Sequence, residues 1–198
     1  MNLARIKLPQ LIFFYAAFIL MVIICICLVN MEKKALGEDL LPQRNEISAH
    51  QERINGLAAS YGTSPEIIET VIREAGNHGI TPAIILELIK TESDFDHTAV
   101  SSHGAVGLCQ LMPVTAEEIA GELGIPYRDD LLLDPEYNIR IAVCYLSKLL
   151  SRHGQDLHKA LTAYNRGPTG LISYMQKNGT AQSSYSIRIS RGAFAPKP

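Results

Sequence analysis

Several absences narrow the field before any motif is read. The chain has no excess of positive charge: 18 Lys and Arg stand against 20 Asp and Glu, a formal net charge of −2. From Ser64 onward 12 basic residues face 15 acidic ones, net −3, so no footprint for a nucleic acid is present. Cysteine is scarce, with four in all. Cys25 and Cys27 lie in an apolar run, Cys109 and Cys144 lie beyond it, and no Cys-x-x-Cys or His/Cys spacing points to a metal site. The six histidines are scattered, and His153 and His158, five apart, fall on different helical faces. Period-two alternation is nowhere sustained, which excludes a sheet and leaves an all-α fold. One stretch lacks acids: after Asp94 and Asp96 none occurs until Glu117.

What is present begins with a long hydrophobic run. The 19 residues from Leu11 to Val29 are uncharged and, rising ~1.5 Å per residue as a helix, match the thickness of a bilayer core. A signal-peptide core is shorter, ~7–15 residues. The one small-x-small sequence, Ala35-Leu36-Gly37, follows Lys33 and Lys34, and Ile precedes both Cys25 and Cys27, where a lipidation signal wants a small residue. An uncleaved membrane anchor is expected. Arg5 and Lys7 before the run are matched by Lys33 and Lys34 after it, so loop charge leaves the orientation open. The organisation read from this is a short tail at 1–10, an anchor at 11–29, a polar stalk at 30–62, a catalytic domain at 63–190 and a tail at 191–198. Within the stalk, Gly37 and Pro42 are expected breakers, with a helix over Asn45 to Ser60.

Helix starts come next. Ser64-Pro65 and Thr81-Pro82 read as N-cap plus first helical residue, because the hydroxyl can accept an orphan N–H and proline has none to leave unpaired. Ile67, Ile68, Val71 and Ile72 form the stripe of the first helix, which stops at Gly76 to Gly79. Thr115 is expected to cap a helix reaching Leu123-Gly124, and Asp134-Pro135 to open one running to about His153. In that helix Ile139, Ile141, Ala142, Val143, Cys144, Tyr145, Leu146, Leu149 and Leu150 cover nearly every face, the mark of a central, buried helix. Helices over Leu157 to Tyr164, Thr169 to Lys177 and Ser184 to Ile189 complete the set.

The helix from Thr81 carries the first candidate for chemistry. At 100° per residue Ile85, Leu88 and Ile89 lie within roughly 60° of Glu92, so the apolar stripe ends in a carboxylate, while Glu87 and Lys90 lie on the opposite face, where charge is ordinary. A carboxyl held against apolar neighbours loses solvation and its pKa rises. A general acid working near neutral pH needs that property. A boundary Glu that reaches back to water is the other reading of the same pattern.

The ordered motifs resemble one family, the SLT-type soluble lytic transglycosylases, relatives of goose-type lysozyme. Glu92-Ser93, with Phe95 behind, resembles the family's Glu-Ser pair. Gly107-Leu108-Cys109-Gln110, continuing through Leu111-Met112-Pro113 to Thr115-Ala116, resembles its Gly-Leu-Met-Gln loop. Ala163-Tyr164-Asn165, followed by Gly167-Pro168, resembles its Ala-Tyr-Asn signature, and Tyr185 its late active-site tyrosine. Asp134-Pro135-Glu136-Tyr137-Asn138-Ile139 and Tyr145-Leu146 fit as well. The likeness covers roughly Ser64 to Ile189. Cys109 stands where the family usually has Met, which is expected to alter the sugar-facing surface.

The resemblance implies a lysozyme-like helical domain that cleaves the β-1,4 bond between N-acetylmuramic acid and N-acetylglucosamine in peptidoglycan, ends the product as a 1,6-anhydro sugar, and uses neither metal nor cofactor. It implies Glu92 as the single catalytic acid and base. Ser93, Gln110, Tyr164, Asn165 and Tyr185 are implied as substrate-binding residues, and Gly104 and Gly107 as places where backbone approaches the glycan. It also implies a single-pass protein of the bacterial inner membrane with its domain in the periplasm, where Cys109 and Cys144 are expected to stay unpaired. Local wall opening for a secretion, conjugation or pilus machine suits such an enzyme. Two other readings stay open: a hydrolytic muramidase of goose-lysozyme type with Asp94 or Asp96 activating water, and a non-catalytic glycan-binding component of a secretion or conjugation apparatus.

Overall fold

Proline sets where four of the helices begin. Pro65, Pro82, Pro113 and Pro135 each occupy the first turn of a helix, where the missing N–H costs nothing and the fixed φ is already helical. The computed structural model describes residues 8–195; of the two expected tails, residues 1–7 and 196–198 lie outside the described residues. The chain falls into two units, one up to Arg53 and one from Ile54.

In the first unit the backbone is helical from Leu8, as part of α1 (Leu8–Tyr61). The segment Phe14–Met31 is long and apolar enough to cross a membrane, and its side chains are exposed throughout. The expected breakers Gly37 and Pro42 lie inside helix. Strong helix formers on both sides, Glu32 to Leu36 and Leu40-Leu41, carry the backbone across them, although an interior proline costs ~3 kcal/mol.

The second unit is all-helical, with no strand among the described residues, and has a lysozyme-like fold. It begins with the last turns of α1, which bury Ile54, Ala58 and Tyr61. Then follow α2 (Pro65–Asn77), α3 (Pro82–Glu92), α4 (Pro113–Leu123), a 3₁₀ turn (Asp129–Leu133), α5 (Pro135–Arg152), α6 (Leu157–Asn178) and α7 (Ser184–Phe194). The 3₁₀ turn has no counterpart in the sequence reading. Of the expected caps, Asp134 works as foreseen, its carboxylate accepting from the Tyr137 N–H at 2.8 Å. Ser64 and Thr81 make no side-chain cap bond, so proline alone marks those starts. Helix α4 starts at Pro113, two residues ahead of Thr115. The two helices expected around Gly167-Pro168 are joined into α6, whose backbone leaves helical angles at Gly167 (φ 72°, ψ 164°). A residue before proline is pushed out of the helical region, and glycine tolerates the positive φ.

Helix α5 is the centre of this unit, with Ile139, Ile141, Ala142, Val143, Leu146 and Leu149 all at most 2 % exposed. It packs against α2, α4 and α6, while α3 packs against α2 and α7. Helices α3 and α7 run antiparallel: the start of α7 meets the end of α3 through Tyr185 and Glu92, and Gly192 lies against Glu87 one turn back. A methyl at Gly192 would meet the Glu87 carboxylate, so a side chain there would require Glu87 to move.

Candidate active site

Glu92 is the last residue of α3. The stripe beneath it is buried as read from the sequence, with Ile85, Leu88 and Ile89 at 1 % exposure or less. Desolvation pushes the Glu92 carboxyl above the ordinary carboxylate range, partly opposed by a hydrogen bond from Tyr185. The Tyr185 hydroxyl donates to Glu92 Oε1 at 2.5 Å. Both influences act on one acid: burial favours the proton, and the phenol steadies the anion left when the proton goes.

Tyr185 owes its position to a polar cluster under the start of α7. Ser183 and Ser186 close a capping box, each hydroxyl accepting from the other's backbone N–H at 3.2 and 3.1 Å. The buried Thr162 of α6 donates to the Ala181 carbonyl at 2.7 Å and meets the Ser183 hydroxyl at 2.8 Å. His158 Nδ1 lies 3.1 Å from Ser186 Oγ. None of these residues was singled out from sequence, although the Ser-x-x-Ser spacing before an apolar position is a weak form of the capping-box signal.

The chain leaves α3 in an unusual conformation. Asp94 and Phe95 have φ of 51° and 66°, a region costly for residues with a Cβ. Phe95 is buried and packs at 5.4 Å from the Tyr61 ring, which anchors the turn. Lys90 lies over the same ring at 5.8 Å, and the Tyr61 hydroxyl donates to Glu87 at 2.8 Å. Of the two charges on that face, Lys90 is exposed as expected, whereas Glu87 is half-buried against Tyr61 and Gly192 of α7.

The loop from Ser101 to Met112 folds back across the end of α3. Val106 and Leu111 exchange backbone hydrogen bonds at 2.9 and 3.1 Å. Their support is Asn138 of α5, fully buried, which donates to the Val106 and Leu132 carbonyls at 3.0 and 2.9 Å and accepts from the Cys109 N–H at 2.8 Å. Three of its hydrogen-bonding positions are thus used, as burial of an amide requires. Gly107 (φ 77°) has no room for a side chain: a Cβ would lie 2.3 Å from the Leu132 carbonyl and 2.4 Å from Asn138 Nδ2. The Cβ side of Gly107 thus faces the protein's own interior, which is what requires a glycine here. Asn138 appeared in the sequence only as part of a helix signature; a lone amide among apolar α5 positions was the available clue.

Of the six expected site residues, Gln110, Tyr164 and Asn165 line one groove, while Glu92, Ser93 and Tyr185 do not line it and are joined to it through Tyr164 and the Leu108 carbonyl. Ser93 follows Glu92, and its hydroxyl donates to the Leu108 carbonyl at 2.8 Å, tying the helix end to the loop. Gln110 (φ 47°) donates through Nε2 to the Gly107 and Ala99 carbonyls at 2.9 and 3.1 Å. Tyr164 donates to the Cys109 carbonyl at 2.9 Å, packs 5.3 Å from the Tyr145 ring, and lies close enough to Glu92 and Tyr185 for their charges to add to the effect of burial in raising its pKa. Gln110, Tyr164 and the exposed Asn165 line a groove of about 260 Å³ together with Met112, Thr115 and Arg166. Cys109 is fully buried and lines no part of that groove, so this position faces the core and not a sugar-facing surface. Burial pushes its thiol up, and both Cys109 and Cys144 are free.

A half-buried acid steadied by a tyrosine, with Tyr164 of the polar groove close by, suits proton donation to a bound sugar's leaving oxygen. Asp96 is less suited to activating water, since its Oδ1 accepts from the Thr98 N–H and hydroxyl at 2.8 and 2.7 Å, which lowers its pKa.

Residues 69–187 match the family model for the transglycosylase SLT domain. Membrane-bound lytic murein transglycosylase C of Serratia proteamaculans is 28 % identical over 153 residues, 66 % of this chain and 42 % of that protein. The protein of the same name from Yersinia pestis is 34 % identical over 113 residues, 52 % of this chain and 31 % of its own length. The chain thus spans less than half the length of these relatives. Among solved structures, an inactive mutant of lytic transglycosylase Slt from Pseudomonas aeruginosa superposes with a TM-score of 0.54 at 32 % identity, covering 66 % of this chain and 25 % of that one. The 70 kDa soluble lytic transglycosylase of Escherichia coli gives 0.53 at 25 % identity, covering 64 % and 21 %.

Proposed function

Because this chain belongs to the transglycosylase SLT domain family, we propose that it is a peptidoglycan lytic transglycosylase with Glu92 as its one general acid and base. The observation that carries the reading is the Glu92 carboxyl itself, desolvated at the end of α3 and hydrogen-bonded by Tyr185. Protonated Glu92 gives its proton to the oxygen between N-acetylmuramic acid and N-acetylglucosamine, and that bond breaks as the substrate's N-acetyl oxygen assists at C1. The resulting carboxylate, held by Tyr185, takes the proton of the 6-hydroxyl as its oxygen closes onto C1. Glu92 is then protonated again and the product carries a 1,6-anhydro end. This is substrate-assisted chemistry, an exception to the two-carboxylate rule.

The neighbours divide the remaining work. Gln110 and Asn165 bind N-acetyl and hydroxyl groups in the groove, Tyr164 walls it, and Ser93 fixes the end of α3 against the loop. The commitment of Asp96 to Thr98 supports ring closure over activation of water. The intact acid and groove favour an enzyme over a glycan-binding scaffold.

Residues 11–29 anchor the protein in the cytoplasmic membrane in this reading, N-terminus inside, with the catalytic unit in the periplasm where peptidoglycan lies. The apolar segment Phe14–Met31 and the membrane-bound relatives support it. Tethering confines cleavage to nearby wall, as local opening for a secretion, conjugation or pilus machine would require. The test is Glu92→Gln in the full chain: retained binding to murein sacculi with no lysis is expected, and undiminished lysis would refute the assignment.

A further inference from the structure

The turn that ends α3 is strained, and a neighbour must hold it. Asp94 and Phe95 take φ of 51° and 66° in succession, directly after Glu92 and Ser93. Residues with a Cβ disfavour that region, and it persists only where the surroundings fix it. Asp94 is exposed, so the fixing contact falls to Phe95. The Phe95 side chain is buried, and its ring meets that of Tyr61 at 5.4 Å with the planes tilted by 57°, a spacing at which aromatic pairs attract. Tyr61 is itself held by α3, through its hydroxyl on Glu87 at 2.8 Å and through Lys90 over its face at 5.8 Å. Glu87, Lys90 and Phe95 thus grip one ring from both sides of Glu92 along the chain.

Tyr61 closes α1 and belongs, with Ile54 and Ala58, to the buried turns ahead of α2. Those turns precede residues 69–187, the part matched to the family model. Resting on the role proposed for Glu92, we infer that Tyr61 is a positioning residue for that acid: its ring holds Phe95, Phe95 holds the turn, and the turn sets where α3 stops and how far its last carboxyl is shielded from water. Tyr185 of α7, Tyr164 of α6 and Cys109 of the loop face the carboxyl from the other elements; Tyr61 acts on it through the backbone. Without the ring, Asp94 and Phe95 relax toward ordinary φ, the end of α3 frays and water reaches Glu92. Its pKa, raised by desolvation, then falls toward the ordinary carboxylate value. Losing the Tyr185 hydrogen bond moves it the other way, because that bond opposes the rise.

The experiment uses the full chain in detergent micelles. It reads kcat and KM on solubilised glycan strands, and the titration of Glu92 by NMR of isotope-labelled glutamate carboxyls, its resonance identified as the one missing in Glu92→Gln. In Tyr61→Leu, kcat falls about tenfold with KM within about twofold of the parent, since misplacing a reacting group slows chemistry more than binding, and the Glu92 pKa moves down. Tyr61→Phe, which keeps the ring, leaves both near the parent values. In an Asp94→Gly background the loss on Tyr61→Leu shrinks to about threefold, because glycine takes a positive φ freely while Phe95 keeps its share of the strain. Parental kcat in Tyr61→Leu, a loss of kcat with the Glu92 titration unmoved, or a loss undiminished by Asp94→Gly would each overturn the inference. Should Tyr61→Leu fail to fold, Phe95→Leu removes the same contact from the turn's side and is held to the same outcomes. Failure of the catalytic reading is distinguishable: the parent would cleave nothing, or Glu92→Gln would cleave fully, while the titration would still report whether Tyr61 shields Glu92.

Discussion

Replacing Tyr185 with Phe removes a single oxygen from the active site and leaves the ring's packing in place. What is lost is the 2.5 Å hydrogen bond to Glu92 Oε1. Hydrogen bonds to a charged group are worth ~1.5–3 kcal/mol, and each ~1.4 kcal/mol is tenfold in rate. The step in which Glu92 becomes a carboxylate should therefore slow by about tenfold to a hundredfold. The pH profile adds a sign. Burial raises the Glu92 pKa and the Tyr185 bond opposes it, so Tyr185→Phe raises it further. The limb of the profile on which protonated Glu92 is lost then moves to higher pH. Clearing of a sacculus suspension, followed from acid to alkaline pH for both proteins, reads rate and limb together. A rate within twofold of the parent with the limb in place or lower would refute the role given to Tyr185.

Stability should show the same acid from the other side. The folded-state pKa of Glu92 lies above its ordinary value of 4.5, so its stabilising contribution is complete below that value and is lost as pH rises through the folded-state value. Glu92→Gln should therefore melt higher than the parent at neutral pH, with the gap closing below the ordinary carboxyl value; an equal gap at every pH would contradict the burial argument. Asn138→Leu strands the Cys109 N–H and the Val106 and Leu132 carbonyls, at ~1–3 kcal/mol each, so a loss of about 3 kcal/mol or more is expected in urea unfolding, and Gly107→Ala should also destabilise. In a Cys25→Ser, Cys27→Ser background, thiol titration of the native protein should find Cys144 reactive and Cys109 protected until denaturant is added.

Much of the fold was legible because its signals are local. Three prolines, Pro65, Pro82 and Pro135, marked helix starts, a fourth at Pro113 was passed over for Thr115, and the apolar positions of α5 announced its burial. The stripe of α3 led to Glu92 by periodicity, and the family resemblance supplied the other five residues. What stayed hidden depends on partners far along the chain. Glu87 reads as a solvated charge until Tyr61 and Gly192 are brought to it, 26 residues away in the case of Tyr61. Asn138 supports the loop across 29 and 32 positions, and Thr162 reaches Ser183 across 21. Cys109 looked sugar-facing because its neighbour Gln110 lines the groove, yet the turn at Gly107 and Gln110 sends the thiol into the core.

One carboxylate, without a second to activate water, both opens the glycosidic bond and closes the ring. The decisive experiment is mass spectrometry of the muropeptides released from purified sacculi. Muramoyl ends about 18 mass units lighter than the hydrolytic product are expected, because the 6-hydroxyl takes the place of the attacking water, with no release by Glu92→Gln. Reducing ends as the main product would refute single-carboxylate ring closure.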